Sequence, residues 1–159
     1  MTSPTSSLLS AVLFTIVAFT SVSKADFPYT PDATLTGEMC TTADVDFTEF
    51  RYSAHIAYCT RNVNTATKRL IYDAYSVPAR CRNEYTIDHF LPLSLGGSNS
   101  VNNLWPEAKS IKHLRQNLEY DLFRLLQEGK ITQAEALEQI REAKWNPPIP
   151  DPSKVQFCQ

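Results

Sequence analysis

The stretch EYTIDHFLPLSLGGSNSVNNLWPE, residues 84–107, carries the strongest indication of the fold in this sequence. It begins with β-branched and aromatic residues and carries Asp88 and His89 inside that apolar run. Gly96 and Gly97 mark a turn, and the segment NNLWP follows as a short second strand. The pattern predicts a β-hairpin whose first strand, YTIDHFLPL, contains a carboxylate and an imidazole.

Helical patterns lie on both sides of the predicted hairpin. Asn64 or Thr65 caps a helix through TATKRLIYDAY. Apolar residues at intervals of three and four predict one long amphipathic helix after the hairpin, and Gly129 is a stop signal. These apolar residues are Ile111, Leu114, Leu118, Leu122 and Leu125. Thr132 and Glu135 form a capping box that predicts a second helix.

The N-terminal segment has the pattern of an export signal. Residues 8–22 read LLSAVLFTIVAFTSV, and the small residues Ser23 and Ala25 follow. This apolar run is shorter than the approximately 20 residues that span a membrane, so we expect a signal peptide over residues 1–25 and a secreted or periplasmic protein. An uncleaved anchor is the alternative. After cleavage we expect no stable membrane insertion.

The four cysteines all follow the predicted signal peptide. They are Cys40, Cys59, Cys81 and Cys158. An even number in an exported chain predicts two disulfides, for which three connectivities exist. Cys59 and Cys81 flank the first predicted helix, so a bridge between them would clamp that helix, and Cys40–Cys158 would fasten the N-terminal arm to the tail. We therefore expect Cys59–Cys81 and Cys40–Cys158.

The charge of the chain is unevenly distributed. Formal net charge is −2, but residues 51–130 hold eleven Lys and Arg against seven Asp and Glu. Residues 26–49 hold six acids and no base. The basic side chains either contact phosphates or only solvate a mixed surface. The candidates for phosphate contact are Arg51, Arg61, Lys68, Arg69 and Arg115.

The order of a strand with Asp88–His89, a Gly-Gly turn, a short strand with Asn103 and an amphipathic helix resembles the ββα-metal core of the HNH endonuclease family. DHFLPLSLGGSNSVNNLWPE carries the resemblance. It extends more loosely from Cys59 to about Ile131, where the chain is similar to small exported bacterial members. The resemblance implies an α+β fold, with an HNH core flanked by helices and stapled by disulfides.

The resemblance also divides the mature chain. Residues 26–159 would form one HNH nuclease domain. Within it we expect an acidic arm over residues 26–50, a core over about residues 59–131, and a C-terminal helix with a Pro-rich tail over residues 132–159.

The resemblance implies roles for the central residues. His89 would be the general base, and Asp88 with Asn103 would help to hold a divalent metal, Mg²⁺, with Mn²⁺ or Zn²⁺ as alternatives. Imidazole titrates near neutral pH, and oxygen ligands suit Mg²⁺. The family's third ligand position falls on Lys112, so a one-residue shift would make His113 the ligand.

Two points about this metal site stay open in the sequence. Asn117, one helical turn after His113, is an alternative third ligand. Neighbouring side chains of a strand point to opposite faces, so Asp88 and His89 could face one ion only through a twist or a bulge.

Two functional hypotheses follow from these patterns. The first is an exported, metal-dependent HNH endonuclease that hydrolyses phosphodiester bonds of DNA or RNA with low sequence specificity, since no sequence-reading motif is visible. The second is a non-catalytic, disulfide-stapled binding module on the same scaffold. The sequence does not distinguish DNA from RNA and does not predict the native metal, the biological role or the oligomeric state.

Overall fold

The computed structural model describes residues 30–148. They form an α+β arrangement of two small antiparallel sheets and four α-helices. In chain order the elements are β1 (Phe47–Arg51), β2 (Ile56–Cys59), α1 (Thr65–Ala74), β3 (Tyr85–His89), β4 (Leu104–Ala108), α2 (Lys109–Leu114), α3 (Leu118–Gln127) and α4 (Gln133–Trp145). The predicted signal peptide and most of the Pro-rich tail, including Cys158, lie outside the described residues.

The predicted central hairpin is present as β3 and β4. The two strands pair without a bulge, from Tyr85 opposite Ala108 to His89 opposite Leu104. All five residues of β4 are buried, because the strand lies between α1 on one side and the main core on the other. A 3₁₀ turn over Leu93–Leu95 follows β3 and ends at Gly96, which has a φ of 95°. The hairpin is confirmed, but its first strand ends at His89, whereas the sequence predicts a strand that continues to the turn at Gly96.

A second hairpin, β1–β2, was not predicted. Residues 26–50 were expected to form an extended arm, but Phe47–Arg51 pairs with Ile56–Cys59. The connecting turn uses Tyr52 and His55 at φ values of 61° and 50°. Histidine adopts positive φ more often than most residues, but the segment lacks the Asn-Gly or Asp-Gly signal of a short hairpin turn.

The predicted disulfide connectivity is wrong. Cys40 is bonded to Cys59, with a Cα–Cα distance of 5.8 Å. The backbone N–H of Cys40 donates to Gly96 O at 2.8 Å, so this segment runs beside the loop after β3 and close to the end of β2. Cys81 is also disulfide-bonded, but it lies in a separate apolar cluster with Val77 and Tyr85.

The single long helix predicted after β4 is also wrong, because two helices are present. α2 ends at Leu114, and α3 begins at Leu118. Between them Arg115 leaves helical geometry at φ −125° and ψ 26°, and its guanidinium forms an ion pair with buried Glu107. We attribute the break to this ion pair. Leu114, predicted to face the core, is 51% exposed.

The other two predicted helices are confirmed. Asn64 caps α1 by accepting from Thr67 N at 2.9 Å. Thr132 and Glu135 form the capping box of α4. α4 packs Ala136, Leu137 and Ile140 into the main core, together with Trp105 and other residues of the hairpin. This packing carries Lys144, near the end of α4, to the hairpin. Within residues 30–148, no helix has the length and apolar character required to cross a membrane.

Candidate functional site

Asp88 and His89 lie at the end of β3 and take different partners. Both residues are buried, with 8% and 4% of their surfaces exposed. The Asp88 carboxylate binds lysines of α2 and α4, whereas the His89 ring contacts Arg61 and Asn99. The bulge-free register preserves the alternation of a regular strand. The two side chains therefore belong to separate polar clusters.

The Asp88 carboxylate is neutralised by two ammonium groups. Lys112 Nζ contacts Oδ1, and Lys144 Nζ contacts Oδ2 at 2.8 Å. Lys144 is fully buried, and its ammonium also donates to His89 O at 2.5 Å and Glu119 Oε1 at 3.0 Å. Burial disfavours the charge of Asp88, but Lys144 and Lys112 outweigh it and hold the pKa of this carboxyl well below its usual range.

Glu107 is the second buried carboxylate of the same cluster. Its side chain is 1% exposed, and it forms ion pairs with Arg115 through Oε1 and with Lys112 through Oε2, the latter at 3.3 Å. Oε2 has no hydrogen bond. Burial and the charge of Asp88 raise the pKa of Glu107 to about 7, against the opposing effect of the nearby cations.

His89 is held through both ring nitrogens. Arg61, whose side chain is exposed, approaches Nδ1 at 3.0 Å and also donates to Ile87 O at 2.8 Å. Asn99 Oδ1 lies 3.0 Å from Nε2. Because a guanidinium can only donate, Nδ1 carries the lone pair and Nε2 carries the proton. Burial, together with the charges of Arg61 and Lys144, lowers the pKa of His89, so the imidazole is neutral at pH 7.

Asn99 is oriented by a network of its own. Its Nδ2 donates to Asp46 Oδ2 at 3.0 Å and to Thr60 O at 2.8 Å. This fixes Oδ1 toward His89 and toward the backbone N–H of Asn62, 3.0 Å away. Asp46 precedes β1 and Thr60 follows β2, so the first hairpin positions the amide that holds the histidine.

Asn103 has a different environment from the one predicted for a metal ligand. It is fully buried, and its Oδ1 accepts from Leu91 N at 2.8 Å. Its Nδ2 donates to Leu91 O at 2.9 Å and to Ser98 O at 2.8 Å. Both the oxygen and the nitrogen of its amide bind backbone atoms of the loop between β3 and β4. The Asn103 side chain therefore stabilises the conformation of that loop.

The residues predicted to bind a metal either have other partners or are exposed. Asp88 has an ammonium on each oxygen, the amide of Asn103 faces the loop, and His113 and Asn117 are exposed. It is Lys112, one residue before His113, that reaches Asp88. Thus the donor set does not fit Mg²⁺, which requires free oxygen ligands.

A different group of possible ligands exists elsewhere. Among the described residues, Cys40, Asp44 and Cys59 have their ligand atoms within 4.8 Å of one another. The two cysteines are joined in a disulfide, which removes the thiolates that bind metals.

The basic residues considered for phosphate contact differ in their availability. Arg115 is nearly buried against Glu107, and Arg51 stacks on the Tyr58 ring with its guanidinium carbon 3.2 Å from the centroid. Arg69 is exposed and lies 3.7 Å from Asp73, and Lys68 is exposed. Among these five candidates, Arg61 is the one in contact with the His89 ring.

Three residues of the site had not been singled out from the sequence. Asn99 belonged to the predicted turn, and Glu107 closed the quoted stretch. Lys144 lies four residues after Ile140 on the apolar face of α4. A charged residue at an apolar position of a helix was the available signal for Lys144.

Comparisons of the chain with protein-family models, curated proteins and solved structures found no match.

Proposed function

We propose that the protein is an exported phosphodiester hydrolase of the HNH type that acts on DNA or RNA. The observation that carries this proposal is the contact between the exposed Arg61 guanidinium and Nδ1 of the buried, neutral His89. This contact places the Arg61 guanidinium, a group suited to binding phosphate, beside the unprotonated nitrogen of His89, the proposed general base. The Cys40–Cys59 disulfide is consistent with a secreted or periplasmic location.

The chemistry assigned to His89 requires Arg61 to move. A phosphate that binds Arg61 would draw the guanidinium away from Nδ1 and leave the lone pair to a water molecule. In the reaction, Nδ1 takes a proton from this water, and the water oxygen forms a bond to phosphorus. The bond from phosphorus to the leaving oxygen breaks, and that oxygen takes a proton from solvent. Arg61 stabilises the negative charge that the phosphate develops.

The substrate class follows from the same contact. Arg61 recognises a phosphate and no particular base, so we expect cleavage with little sequence preference. Exposed Lys68 lies seven residues after Arg61 on α1 and is available for further backbone contacts. Because Asp88 and Asn103 already have other partners, the proposed mechanism assigns no step to a metal ion.

A non-catalytic phosphate-binding module is the second candidate. Two observations favour it: both ring nitrogens of His89 have hydrogen-bond partners, and both oxygens of Asp88 are ion-paired. In this alternative Arg61 binds nucleic-acid phosphate, and His89 remains an acceptor that orients it.

A cleavage and binding experiment distinguishes the two candidates. Mature protein would be incubated with supercoiled plasmid and with single-stranded RNA, in EDTA and in Mg²⁺ or Mn²⁺. Binding to a fluorescent oligonucleotide would be measured in parallel. We expect His89→Ala to reduce cleavage at least ~10²-fold while binding persists, and Arg61→Ala to weaken both. Arg69→Ala, an exposed arginine on α1, is the matched control and should resemble wild type.

Each possible outcome distinguishes between the hydrolase and the non-catalytic binding module or rejects both. Binding without cleavage of either polymer under all conditions would support the second candidate. Failure of the wild-type protein both to bind and to cleave would reject the two together.

A further inference from the structure

The oxygen atoms that surround the Lys144 ammonium favour a cation at this position. Its Nζ lies 2.8 Å from Asp88 Oδ2, 2.5 Å from His89 O and 3.0 Å from Glu119 Oε1. Two carboxylates and a carbonyl thus converge on one fully buried ammonium. These are also the oxygen types that bind hard divalent cations.

Charge balance explains why the position needs a cation. Lys144 forms ion pairs with two carboxylates, Asp88 and Glu119, and Lys112 is the second cation on Asp88. Removal of one cation would leave an uncompensated negative charge in a buried centre, which is costly.

Glu107 belongs to the same charge network as Asp88 but does not contact Lys144. Its Oε2 is buried and makes no hydrogen bond. Lys112 Nζ forms an ion pair with this oxygen at 3.3 Å. The same ammonium contacts Asp88 Oδ1, so Asp88 and Glu107 share Lys112, and Lys144 is the cation on the other oxygen of Asp88.

We propose that the Lys144 ammonium permanently occupies the position between Asp88, Glu119 and the backbone oxygen of His89. It thereby excludes divalent metal ions, and replacement of Lys144 by a small residue opens a metal site. The ligands of that site would be Asp88 Oδ2, Glu119 Oε1 and the backbone oxygen of His89. The preferred ions are Mg²⁺ and Mn²⁺, because all three ligands are oxygens. This inference concerns cation binding and does not depend on the proposed hydrolysis.

The test compares wild type with two substitutions at one position. Lys144→Ala removes the charge and leaves space for an ion. Lys144→Met removes the charge but fills the space, so it is the matched control. Each protein would be freed of metals with EDTA, dialysed, and unfolded thermally with and without Mg²⁺ or Mn²⁺, and binding would be measured by calorimetry.

We expect a metal-induced rise in Tm for Lys144→Ala alone, of roughly 5 °C or more at a hundredfold excess over Kd. Asp88→Asn added to Lys144→Ala should abolish that rise. If Lys144→Ala is unfolded without metal, recovery of its helical circular dichroism on addition of Mn²⁺ replaces the Tm readout.

Three results would overturn the proposal. The first is a comparable metal-induced rise in wild type, which needs no variant to observe. The second is a folded Lys144→Ala protein that binds neither ion. The third is an unfolded Lys144→Ala protein that metal does not recover. Loss of nuclease activity in any of these proteins would leave the binding result unaffected.

Discussion

Replacement of Asn103 by alanine should destabilise the fold strongly, because its amide makes three hydrogen bonds to buried backbone. The partners are Leu91 N, Leu91 O and Ser98 O, at 2.8, 2.9 and 2.8 Å. Leu91 and Ser98 are fully buried, so water cannot replace the lost partner. At about 1 kcal/mol for each bond, plus the cost of orphaned polar groups, we expect a loss of about 3–5 kcal/mol.

Urea unfolding of the oxidised protein measures this loss. With an m-value of roughly 1–3 kcal/mol/M, the midpoint should fall by more than about 1 M. Asn102→Ala is the control, because Asn102 is exposed and its amide makes one long contact, 3.3 Å, to Glu38. Asn103→Asp keeps the acceptor but removes both donors, so it should also be strongly destabilising.

A loss below about 1 kcal/mol for Asn103→Ala, or one equal to that of Asn102→Ala, would refute this reasoning. In that case the loop between β3 and β4 would not depend on the amide, and a ligand role for Asn103 would return.

Three further predictions concern the disulfide, a close backbone approach and pH. Joint replacement of Cys40 and Cys59 by serine should cost about 3 kcal/mol for the loop that the bond closes, and an unchanged urea midpoint would contradict this. Gly97→Ala should destabilise the protein far more than Gly129→Ala. An added Cβ at Gly97 would lie 1.8 Å from Leu91 O, whereas an added Cβ at Gly129 would have no atom within 4 Å. Equal losses of stability would count against the close packing at Gly97. Because the pKa of His89 is lowered on folding, the unfolded chain binds the extra proton first, so stability should fall as pH drops below about 6.5. His89→Gln should lose that part of the slope in urea midpoints measured from pH 8 to 5.

The sequence predicted local structure well where one residue type determines it. The capping box at Thr132, the cap at Asn64 and the β3–β4 hairpin all depend on short-range chemistry, and all are present. The break after Leu114 coincides with an ion pair between Arg115 and a buried glutamate on another element, a long-range contact that periodicity alone does not indicate.

The site itself was only partly predictable. Asp88 and His89 stand out as polar residues in an apolar strand, but their partners are distant in sequence. Lys144 is 56 residues from Asp88, and Arg61 is 28 residues from His89. The pairing of Cys40 was equally inaccessible, because spacing does not fix disulfide connectivity.

The large separation in sequence between Asp88 and Lys144 has a consequence for how this buried ion pair forms during synthesis. The β3–β4 hairpin can form as soon as it emerges, since its contacts are local. The Asp88 carboxylate must then remain solvated, or be satisfied by Lys112 alone, until α4 has been made and has docked. A chain truncated at residue 131, the predicted end of the core, would keep the hairpin and lose its buried cation. The docking of α4 is therefore the step that completes this buried cluster, and shortened or incompletely translated chains should be open and sensitive to proteases.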